Sequence, residues 1–431
     1  MLIEKISNKQ AVVGVIGLGY VGLPMAVTVA RKGFRVLGVD ISDYAVEHVN
    51  AGENYIGDVD DAELKDLVMK GMLKAYLDYS CLEEADIILI AVPTPLDRYQ
   101  QPDSGYVRAA VNSLAEVVTK DTLVILESTT YPGTTREIVA PALTAKGLTL
   151  GKDIFVAFSP ERVDPGNKDY KTVNTPKVVG GMTMRCNEIS EAFYNAILEA
   201  PVHLVSSPSV AEMEKIYENT FRNINIALAN EMTILCERMG LDVWEVIDAA
   251  RTKPYGFMAF YPGPGIGGHC IPLDPFYLTW KAREYGYHTR LIELAGEINN
   301  HMPEFVITKL GKLLNNRGIA LSRARILLLG AAYKKDISDM RESPLQDIII
   351  LLENLQTEFD YNDPYISCFH NEKNGKKYHS VPLDEIEKYE AVLILTDHSK
   401  YNYQDIVQRS QLILDTRNAC RGLTSSNLVR L

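Results

Sequence analysis

Short apolar runs alternate with amphipathic stretches along the first 160 residues of the chain. Five of the runs are continuous, rich in β-branched residues and followed by turn residues; they cover 11–16, 35–39, 87–92, 122–127 and 154–158. Uninterrupted apolar runs of this length are typical of strands that are buried on both faces of a sheet. Because helical stretches separate them, the pattern predicts an α/β domain around a parallel sheet.

A second series of apolar runs lies near the C-terminus. It covers 325–330, 391–396 and 411–415, and a helical pattern at 344–355 follows the first run. This series predicts a second, smaller α/β domain. Between the two series, the segment 208–250 has apolar residues at helical spacing and no proline after its first residue, which predicts one long connecting helix.

Length and charge narrow the class of protein. A chain of 431 residues exceeds one ordinary core, so two or three domains are expected. A formal net charge of −12 and a pI near 5.3 argue against nucleic-acid or anionic-membrane surfaces as partners. The first ten residues lack the apolar stretch of a signal peptide and no run reaches membrane-spanning length, so the sequence predicts a cytosolic location without membrane attachment.

The six cysteines form no CxxC pair and have no metal-like spacing with histidines, so the sequence predicts neither a metal site nor a disulfide framework. Five are expected to be small side chains inside the protein: Cys81, Cys186, Cys236, Cys368 and Cys420.

The sequence Gly17-Leu18-Gly19-Tyr20-Val21-Gly22 directly follows the first predicted strand and opens a predicted helix. Glycines at this spacing allow a tight turn and close approach to a pyrophosphate, which then contacts the amides of the helix N-terminus. Asp40 ends the next strand, where its carboxylate would accept hydrogen bonds from a ribose and repel a 2′-phosphate. The motif therefore predicts NAD rather than NADP, bound by Gly17, Gly19, Tyr20, Val21, Gly22 and Asp40.

Polar clusters follow three other predicted strands at the same carboxyl edge. They are Val92-Pro93-Thr94-Pro95, Glu127-Ser128-Thr129-Thr130 and Ser159-Pro160-Glu161-Arg162. One such cluster is equally consistent with a loop cap. Because open α/β sheets bind their ligands at this edge, the convergence of three favours an active site.

Two further patterns suggest covalent chemistry. On the connecting helix, Lys215, Asn219 and Arg222 share one face at i, i+4 and i+7, and could supply a cation and a carboxamide to an oxyanion. Cys270 follows a run of glycines and precedes Asp274 by four residues. Exposed amides and a nearby lysine would favour its thiolate, so oxidation through a covalent thiol adduct is the central hypothesis.

From about residue 10 to the C-terminus the chain resembles the UDP-glucose/GDP-mannose dehydrogenase family. The shared motifs, in order, are GLGYVGLP, VPTP, STTYPGT, SPER, EKIYENTFRN, GPGIGGHCIPLDP, GAAYKKDISDMRESP and YNDPY. The resemblance implies two Rossmann-like, doubly wound parallel-sheet domains joined by a long central helix. An NAD-binding domain is expected at 1–205, a central helical dimerisation and catalytic domain at 206–315, and a UDP-sugar-binding domain at 316–431.

Within the family, residues 254–278 are most similar to the branch that acts on UDP-N-acetylhexosamines, UDP-N-acetylglucosamine above all. Leu273 stands where UDP-glucose dehydrogenases typically carry a lysine, and Pro165 where they usually carry a second glutamate. UDP-N-acetylglucosamine is therefore the expected substrate. The epimers UDP-N-acetylmannosamine and UDP-N-acetylgalactosamine, and UDP-glucose, stay open, and Arg222 or Asn223 is a hypothetical reader of the acetamido group.

The resemblance implies a four-electron oxidation of the sugar 6-hydroxymethyl group to a carboxylate, with two NAD per product. Cys270 would attack the intermediate aldehyde, and the resulting thioester would be hydrolysed. Lys215 and Asn219 would stabilise oxyanions, and Asp274 would orient Lys215 or a water. Thr129 and Glu161 would take part in proton transfer.

The resemblance also implies ligand contacts. The expected cofactor contacts beyond the glycine motif are Val92, Pro93, Thr94, Ser128, Thr129 and Arg341. The expected substrate contacts are Glu161, Arg162, Val163, Lys215, Asn219, Arg222, Arg251, Tyr261, Gly267, Lys334 and Arg417. Arg251 resembles an arginine that a partner subunit donates, so a homodimer built on the connecting helix is expected. By sequence position alone, Arg341 could instead form a surface ion pair with the adjacent Glu342.

Two other function classes are weighed against this one. A two-electron dehydrogenase of the hydroxyacid type would share the glycine motif but would need neither Cys270 nor a second α/β domain. A non-catalytic dinucleotide sensor would tolerate loss of the site residues, yet Cys270, Lys215, Asn219 and Asp274 are all present.

Overall fold

The computed structural model describes residues 2–56, 59–97, 100–163, 167 and 169–431. Pro165, which bears on the sequence-based choice of substrate, lies outside these described residues. The chain divides into two compact units. The first unit contains Met1–Glu218 and Phe276–His288, and the second contains Asn219–Pro275 and Thr289–Leu431.

The described residues contain fifteen β-strands and thirteen α-helices. The strands of the first unit are β1 Val12–Ile16, β2 Arg35–Val39, β3 Leu73–Tyr76, β4 Ile87–Ile90, β5 Thr122–Leu126, β6 Ile154–Phe158, β7 Lys177–Gly181 and β8 Val202–Val205. The strands of the second unit are β9 Arg325–Leu329, β10 Glu358–Asn362, β11 Cys368–His370, β12 Lys377–His379, β13 Ala391–Ile394, β14 Ile413–Asp415 and β15 Leu428–Arg430.

The helices are α1 Leu2–Ser7, α2 Gly22–Arg31, α3 Asp43–Ala51, α4 Asp61–Met69, α5 Gly105–Val117, α6 Ala140–Thr144, α7 Met184–Ile197, α8 Pro208–Met239, α9 Val243–Ala250, α10 Asp274–Glu284, α11 Arg290–Asn315, α12 Pro344–Asn354 and α13 Tyr403–Arg409. A π-helical turn at Thr135–Val139 precedes α6. None of the helices in the described ranges has the length and apolar character needed to cross a membrane.

The first unit is built on a sheet of eight strands in the order β3-β2-β1-β4-β5-β6-β7-β8. All neighbours are parallel except β6 and β7, where Ala157 pairs with Gly181 in antiparallel register. The order of the first six strands is that of a dinucleotide-binding sheet, in which the chain reverses its direction of winding between β1 and β4. The five predicted strands are confirmed, and their central residues are buried as their composition indicates.

Three strands of this sheet were not predicted, for reasons visible in their sequences. β3 (LKAY) and β8 (VHLV) mix polar with apolar residues because they lie at the two edges of the sheet, where burial is incomplete. β7 is fully buried but begins with a lysine and ends with two glycines, which obscures its apolar character. The antiparallel entry of β7 brings its first residue to the edge where β6 ends.

The second unit contains a five-stranded parallel sheet in the order β10-β9-β13-β14-β15, and an antiparallel hairpin of β11 and β12. Counted along the chain, and leaving the hairpin aside, this is the 2-1-3-4-5 order of a doubly wound sheet, with its switch point between β9 and β13. The predicted runs at 325–330, 391–396 and 411–415 correspond to β9, β13 and β14, and the predicted helix at 344–355 corresponds to α12. Two Rossmann-like sheets are therefore confirmed.

The prediction of one uninterrupted helix over 208–250 is wrong in one respect. α8 ends at Met239, and Gly240 follows with a φ of +69°, a left-handed conformation that terminates helices. The Asp242 side chain then accepts hydrogen bonds from the amides of Trp244 and Glu245 and begins α9 as its N-cap. Apolar periodicity continues across the break because both helices bury one face, so periodicity alone does not reveal it.

The expected burial of the cysteines holds for three of the five. Cys186, Cys236 and Cys420 are buried, but Cys81 is half-buried and Cys368 is exposed. Cys368 begins the short hairpin strand β11, whose side chains alternate between the two faces of a two-stranded ribbon. Strand alternation, rather than residue type, places this thiol outside the core.

Candidate active site

The glycine loop of the first unit follows β1 at the switch point of the sheet. Gly17 has a φ of +89°, and a Cβ added to Gly22 would lie 1.7 Å from the carbonyl oxygen of Gly17. Only glycine fits at position 22. A Cβ added to Gly19 would meet nothing within 4 Å, so this backbone faces open space that a ligand can approach. Val21 caps α2 without a side-chain hydrogen bond, so no capping side chain covers the N-terminus of the helix.

Asp40 is coupled to this loop. One carboxylate oxygen, Oδ2, accepts a hydrogen bond from the amide of Leu18 at 2.7 Å, and Oδ1 accepts one from Ser42 at 2.9 Å. The carboxylate is therefore oriented by backbone on both sides, and it keeps further acceptor capacity for a ribose. These residues fit the binding of NAD, which supplies hydride-accepting chemistry when bound.

The other edge clusters belong to the same unit. Ser128 is buried and its hydroxyl donates to the carbonyl of Val92 at 2.8 Å, which ties the loop after β5 to the loop after β4. The Tyr277 hydroxyl from α10 donates to the carbonyl of Thr94. Pro93 is exposed and Thr129 is half-buried. The two loops predicted to contact the cofactor are thus held together by side chains, not only by adjacency of their strands.

Glu161 lies in the loop after β6 and is tightly bound by its own backbone. Its Oε1 accepts the amides of Arg162 at 2.8 Å and Val163 at 2.7 Å, and its Oε2 lies 3.3 Å from Nζ of Lys177. Burial alone would raise the pKa of Glu161. The charge of Lys177, these two amides and the charge of Lys215 outweigh burial and hold that pKa below its usual range.

Arg162 forms a charged cluster with α8. Its guanidinium makes an ion pair with Glu218 and lies 3.3 Å from Glu214 Oε1. Burial, together with the neighbouring Glu218, raises the pKa of Glu214 to about 7. Arg162, a predicted substrate contact, is thus held by two carboxylates of its own unit. Lys215 lies between Glu214 and Glu218 in the sequence of α8 and is buried.

In the second unit, the turn that bears Cys270 is anchored to α8. The Asn219 carboxamide donates to Asp274 Oδ2 at 2.6 Å, and both side chains are buried. One helical turn later, Asn223 Nδ2 donates to the carbonyl of Ile271 at 3.1 Å. The amide of Asp274 returns to the carbonyl of Cys270 at 2.9 Å and begins α10. Cys270 itself is exposed, so its thiol is presented by a turn whose flanks are fixed.

The glycines before Cys270 allow this turn to approach the loop after β9. A Cβ at Gly267 would lie 2.4 Å from Tyr333 Cβ, and the amide of Gly268 donates to the carbonyl of Arg341 at 2.9 Å. A Cβ at Gly263 would lie 2.5 Å from the guanidinium of Arg417. The structure therefore brings the cysteine turn together with the 333–341 loop and Arg417.

Lys334 and Arg417 follow β9 and β14 at the carboxyl edge of the second sheet, where a doubly wound sheet binds its ligand. The loop after β9 is held from behind by Asp363, which accepts the amides of Ala331 and Ala332. His398 is fully buried and bonds Asp363 through Nε2 at 2.9 Å. This His–Asp pair was not expected from the sequence, although Asp363 lies in the YNDPY motif.

The remaining predicted ligand contacts are Arg341, Arg251, Tyr261 and Arg222. Arg341 forms a two-pronged ion pair with Asp339, so the alternative that pairs it with Glu342 is wrong. Arg251 and Tyr261 are exposed and bond each other at 3.0 Å. Arg222 is exposed although it shares a helix face with two buried residues.

Comparison with known proteins covers nearly the whole chain. Three models of one family match in order. They are described as the NAD-binding domain (residues 11–198), the central domain (209–301) and the UDP-binding domain (327–422) of the UDP-glucose/GDP-mannose dehydrogenase family.

A UDP-N-acetyl-D-glucosamine 6-dehydrogenase of Pseudomonas aeruginosa is 37% identical over 396 residues, which are 91% of this chain and 92% of the relative. A UDP-N-acetyl-D-mannosamine dehydrogenase of Pyrococcus horikoshii is 35% identical over 414 residues, 94% of this chain and 95% of the relative.

A solved structure of the UDP-D-ManNAc dehydrogenase from Pyrococcus horikoshii matches with a TM-score of 0.89 and 33% identity, covering 97% of this chain and 98% of that one. The order of the motifs, the two sheets with ligand-binding switch points and these matches agree. The chain belongs to the UDP-glucose/GDP-mannose dehydrogenase family and is an NAD-dependent nucleotide-sugar dehydrogenase.

Proposed function

We propose that this protein oxidises the 6-hydroxymethyl group of UDP-N-acetylglucosamine to a carboxylate, with Cys270 as the covalent nucleophile. The observation that carries the proposal is the exposed thiol of Cys270 on a turn fixed by Asn219, Asp274 and Asn223. A two-electron dehydrogenase would have no use for a thiol presented in this way.

The proposed chemistry divides into steps that the residues can perform. Removal of the first hydride and the hydroxyl proton leaves an aldehyde, and Thr129 and Glu161 take part in moving that proton through water. Addition of the Cys270 thiolate to the aldehyde carbon gives a tetrahedral thiohemiacetal with a C–H bond that can yield the second hydride. Water then cleaves the thioester and returns the thiol.

Within this scheme Asp274 positions Asn219. Asp274 accepts a hydrogen bond from Asn219 Nδ2 at 2.6 Å. This bond holds the Asn219 nitrogen toward Asp274 and so fixes the orientation of the amide plane. Lys215 supplies the cation on the preceding helical turn and, with Asn219, stabilises the oxyanions. Lys334 and Arg417 at the edge of the second sheet are proposed to bind the UDP-sugar.

The sugar is proposed from a side chain as well as from similarity. Asn223 is 2% exposed, and its Nδ2 donates a hydrogen bond to the carbonyl of Ile271. Its Oδ1 has no hydrogen-bond partner among the described residues. A buried acceptor without a donor is costly, and an acetamido N–H would satisfy it. Leu273 and this acceptor both favour an N-acetylated sugar over UDP-glucose. Among the N-acetylated epimers, the relative from Pseudomonas aeruginosa, which is named for UDP-N-acetylglucosamine, supports the gluco form.

The proposal is tested by the yield of NADH per nucleotide sugar consumed, measured on UDP-N-acetylglucosamine, UDP-N-acetylmannosamine, UDP-N-acetylgalactosamine and UDP-glucose. We expect two NADH per sugar, with the highest kcat/KM on UDP-N-acetylglucosamine. Highest kcat/KM on the manno epimer would replace the proposed substrate by the one named for the Pyrococcus relative. One NADH per sugar would exclude the four-electron reaction.

Asn223→Ala supplies the matched variant for the panel. Since the proposed contact exists only with an acetamido group, the ratio of kcat/KM for the N-acetylated sugar over UDP-glucose should fall about tenfold. An unchanged ratio would remove Asn223 from recognition of the sugar.

A homodimer is part of the proposal. On α8 within the second unit, Phe221, Leu228, Leu235 and Met239 lie on one face at helical spacing and are 42% to 61% exposed. The segment 251–258 beyond α9 is exposed throughout and contributes Tyr255, Phe257 and Met258. An apolar surface of this size on a chain with net charge −12 is proposed to pack against the same surface of a second copy.

Leu228→Glu combined with Leu235→Glu should convert the dimer to a monomer, because the substitutions place like charges on both sides of an apolar contact. Mass from light scattering during size-exclusion chromatography measures the change. Met184→Glu replaces a more exposed apolar residue at the start of α7, outside the proposed surface; it is the control and should leave the mass unchanged. A wild-type protein that elutes with the mass of one chain would contradict the proposal.

A further inference from the structure

A buried trio of charged side chains, Glu127, Lys177 and Glu161, lies at the carboxyl edge of the first sheet. Lys177 Nζ is 3.3 Å from Glu127 Oε1 and 3.3 Å from Glu161 Oε2. The three side chains are 0%, 5% and 15% exposed, respectively. The ammonium group of Lys177 thus forms ion pairs with two carboxylates in a largely buried site.

The topology of the sheet creates the trio. Glu127 directly follows β5, and Glu161 lies in the loop after β6. Lys177 is the first residue of β7, which runs antiparallel to β6. On the far side, the Tyr194 hydroxyl from α7 donates to Glu127 Oε1, and Lys177 Nζ lies 5.5 Å from the centre of the Tyr194 ring. Glu161 is the member at the edge, and Glu127 is the innermost.

The two carboxylates are not equivalent. Glu161 accepts two backbone amides and also feels the charge of Lys215 on α8. Glu127 Oε2 is buried without a hydrogen-bond partner among the described residues. If both carboxylates were ionised the trio would carry a net negative charge in a buried site, which is costly. A proton entering the trio is therefore held by Glu127 rather than by Glu161.

The direction of each pKa agrees with this geometry. Burial, with the charge of Glu161, raises the pKa of Glu127 despite Lys177. Burial opposes ionisation of Lys177, but the two carboxylates raise its pKa, so it stays an ammonium group. The pKa of Glu161 is lowered, as described for the site.

We propose that Lys177 is a positioning residue that keeps Glu161 an ionised, oriented carboxylate, while Glu127 holds the proton that balances the charge of the trio. The inference rests on the proposed function, in which Glu161 takes part in proton transfer. There, an ionised Glu161 accepts the proton from the water that attacks the thioester carbon, as the C–S bond breaks and the Cys270 thiolate leaves. A Glu161 that already carried a proton could not do so.

Removal of Lys177 has a signature that simple damage lacks. Lys177→Met deletes the charge that holds the pKa of Glu161 down, so the acidic limb of the pH profile of kcat should move up by at least about 1 pH unit. Lys177→Arg keeps the charge and should leave the limb near its wild-type position. Glu127→Gln removes the second carboxylate that pairs with Lys177. The acidic limb of the pH profile of this variant should therefore stay in place or move to lower pH.

The opposite behaviour of the methionine and glutamine variants separates electrostatics from misfolding, because both disturb the same buried cluster. Should Lys177→Met fail to fold, the Lys177→Met/Glu127→Gln double variant buries one fewer carboxylate and should show the same upward movement. An acidic limb that stays in place in a folded methionine variant, or that moves up in Glu127→Gln, would overturn the inference.

Infrared difference spectra provide a readout without turnover. The spectrum of wild type minus that of Glu127→Gln, near neutral pH, should contain the band of a buried protonated carboxylic acid; the subtraction removes the contribution of Glu214, whose pKa is about 7. Absence of the band from this difference would contradict the assignment of the proton to Glu127. Failure of the proposed function is recognised separately, since it appears as one NADH per sugar in the wild type and does not depend on any variant of the trio.

Discussion

Cys270→Ala should reduce turnover of the nucleotide sugar by at least about a thousandfold, because the proposed second hydride leaves from a thiohemiacetal that only the Cys270 thiolate would form. Cys270 lies on a turn anchored at both flanks, so alanine leaves the hydrogen bonds of Asn219 and Asp274 in place. The loss should therefore appear in kcat with an unchanged melting temperature. NADH formation under steady-state conditions measures it.

Cys368→Ser is the matched control for this prediction. Cys368 is the other cysteine that is exposed, but it lies on the β11 hairpin of the second unit, outside every motif assigned to the site. Its serine variant should retain wild-type kcat and KM. Two NADH per sugar at an undiminished rate from Cys270→Ala would exclude the covalent mechanism.

Gly22→Ala should weaken NAD binding by at least about tenfold and also lower the melting temperature of the protein without ligand. The added Cβ would stand 1.7 Å from the carbonyl oxygen of Gly17, a backbone atom that can move only if the loop opens. Overpacking of this kind costs about 1–3 kcal/mol or more. Calorimetric titration with NAD and thermal unfolding of the unliganded protein measure the two effects.

Gly19→Ala should separate the two effects. Its Cβ would meet no protein atom within 4 Å, so the melting temperature should not change, but it would stand where a pyrophosphate approaches the backbone. Gly311→Ala on α11, whose Cβ would have one neighbour at 3.8 Å, should leave NAD affinity unchanged and should raise rather than lower the melting temperature, because alanine is the better helix former. Normal NAD affinity in both loop variants would remove this loop from cofactor binding.

Local sequence was sufficient where one segment decides its own conformation. The strands β1, β2, β4, β5 and β6 were predicted within two residues because an uninterrupted β-branched run can bury both faces only inside a sheet. The strand β8 was missed because an edge strand needs no apolar run. The helix break at Gly240 was missed because helical periodicity resumes three residues later, at Val243.

For the candidate site, the sequence indicated where the motif residues lie relative to the sheets. Motif residues after the strands reach the carboxyl edges of the two sheets, as parallel topology requires. Three side chains departed from expectation: Cys368 is exposed, Cys81 is half-buried, and Arg341 pairs with Asp339. Each depends on a neighbour or a face that sequence spacing alone does not specify.

Residue order and local periodicity were enough to indicate two α/β sheets, the dinucleotide loop and a thiol that does not behave as a core cysteine. These features depend on segments of about ten residues, whose burial and turns are encoded locally. The Glu127–Lys177–Glu161 trio and the anchoring of the cysteine turn by Asn219 and Asn223 emerged only in three dimensions. Their partners are 16 to 55 residues apart along the chain, and they meet because β7 reverses direction beside β6 and because α8 passes behind the turn. Long-range pairing of charges depends on the direction in which strands and helices pack, which no single segment encodes.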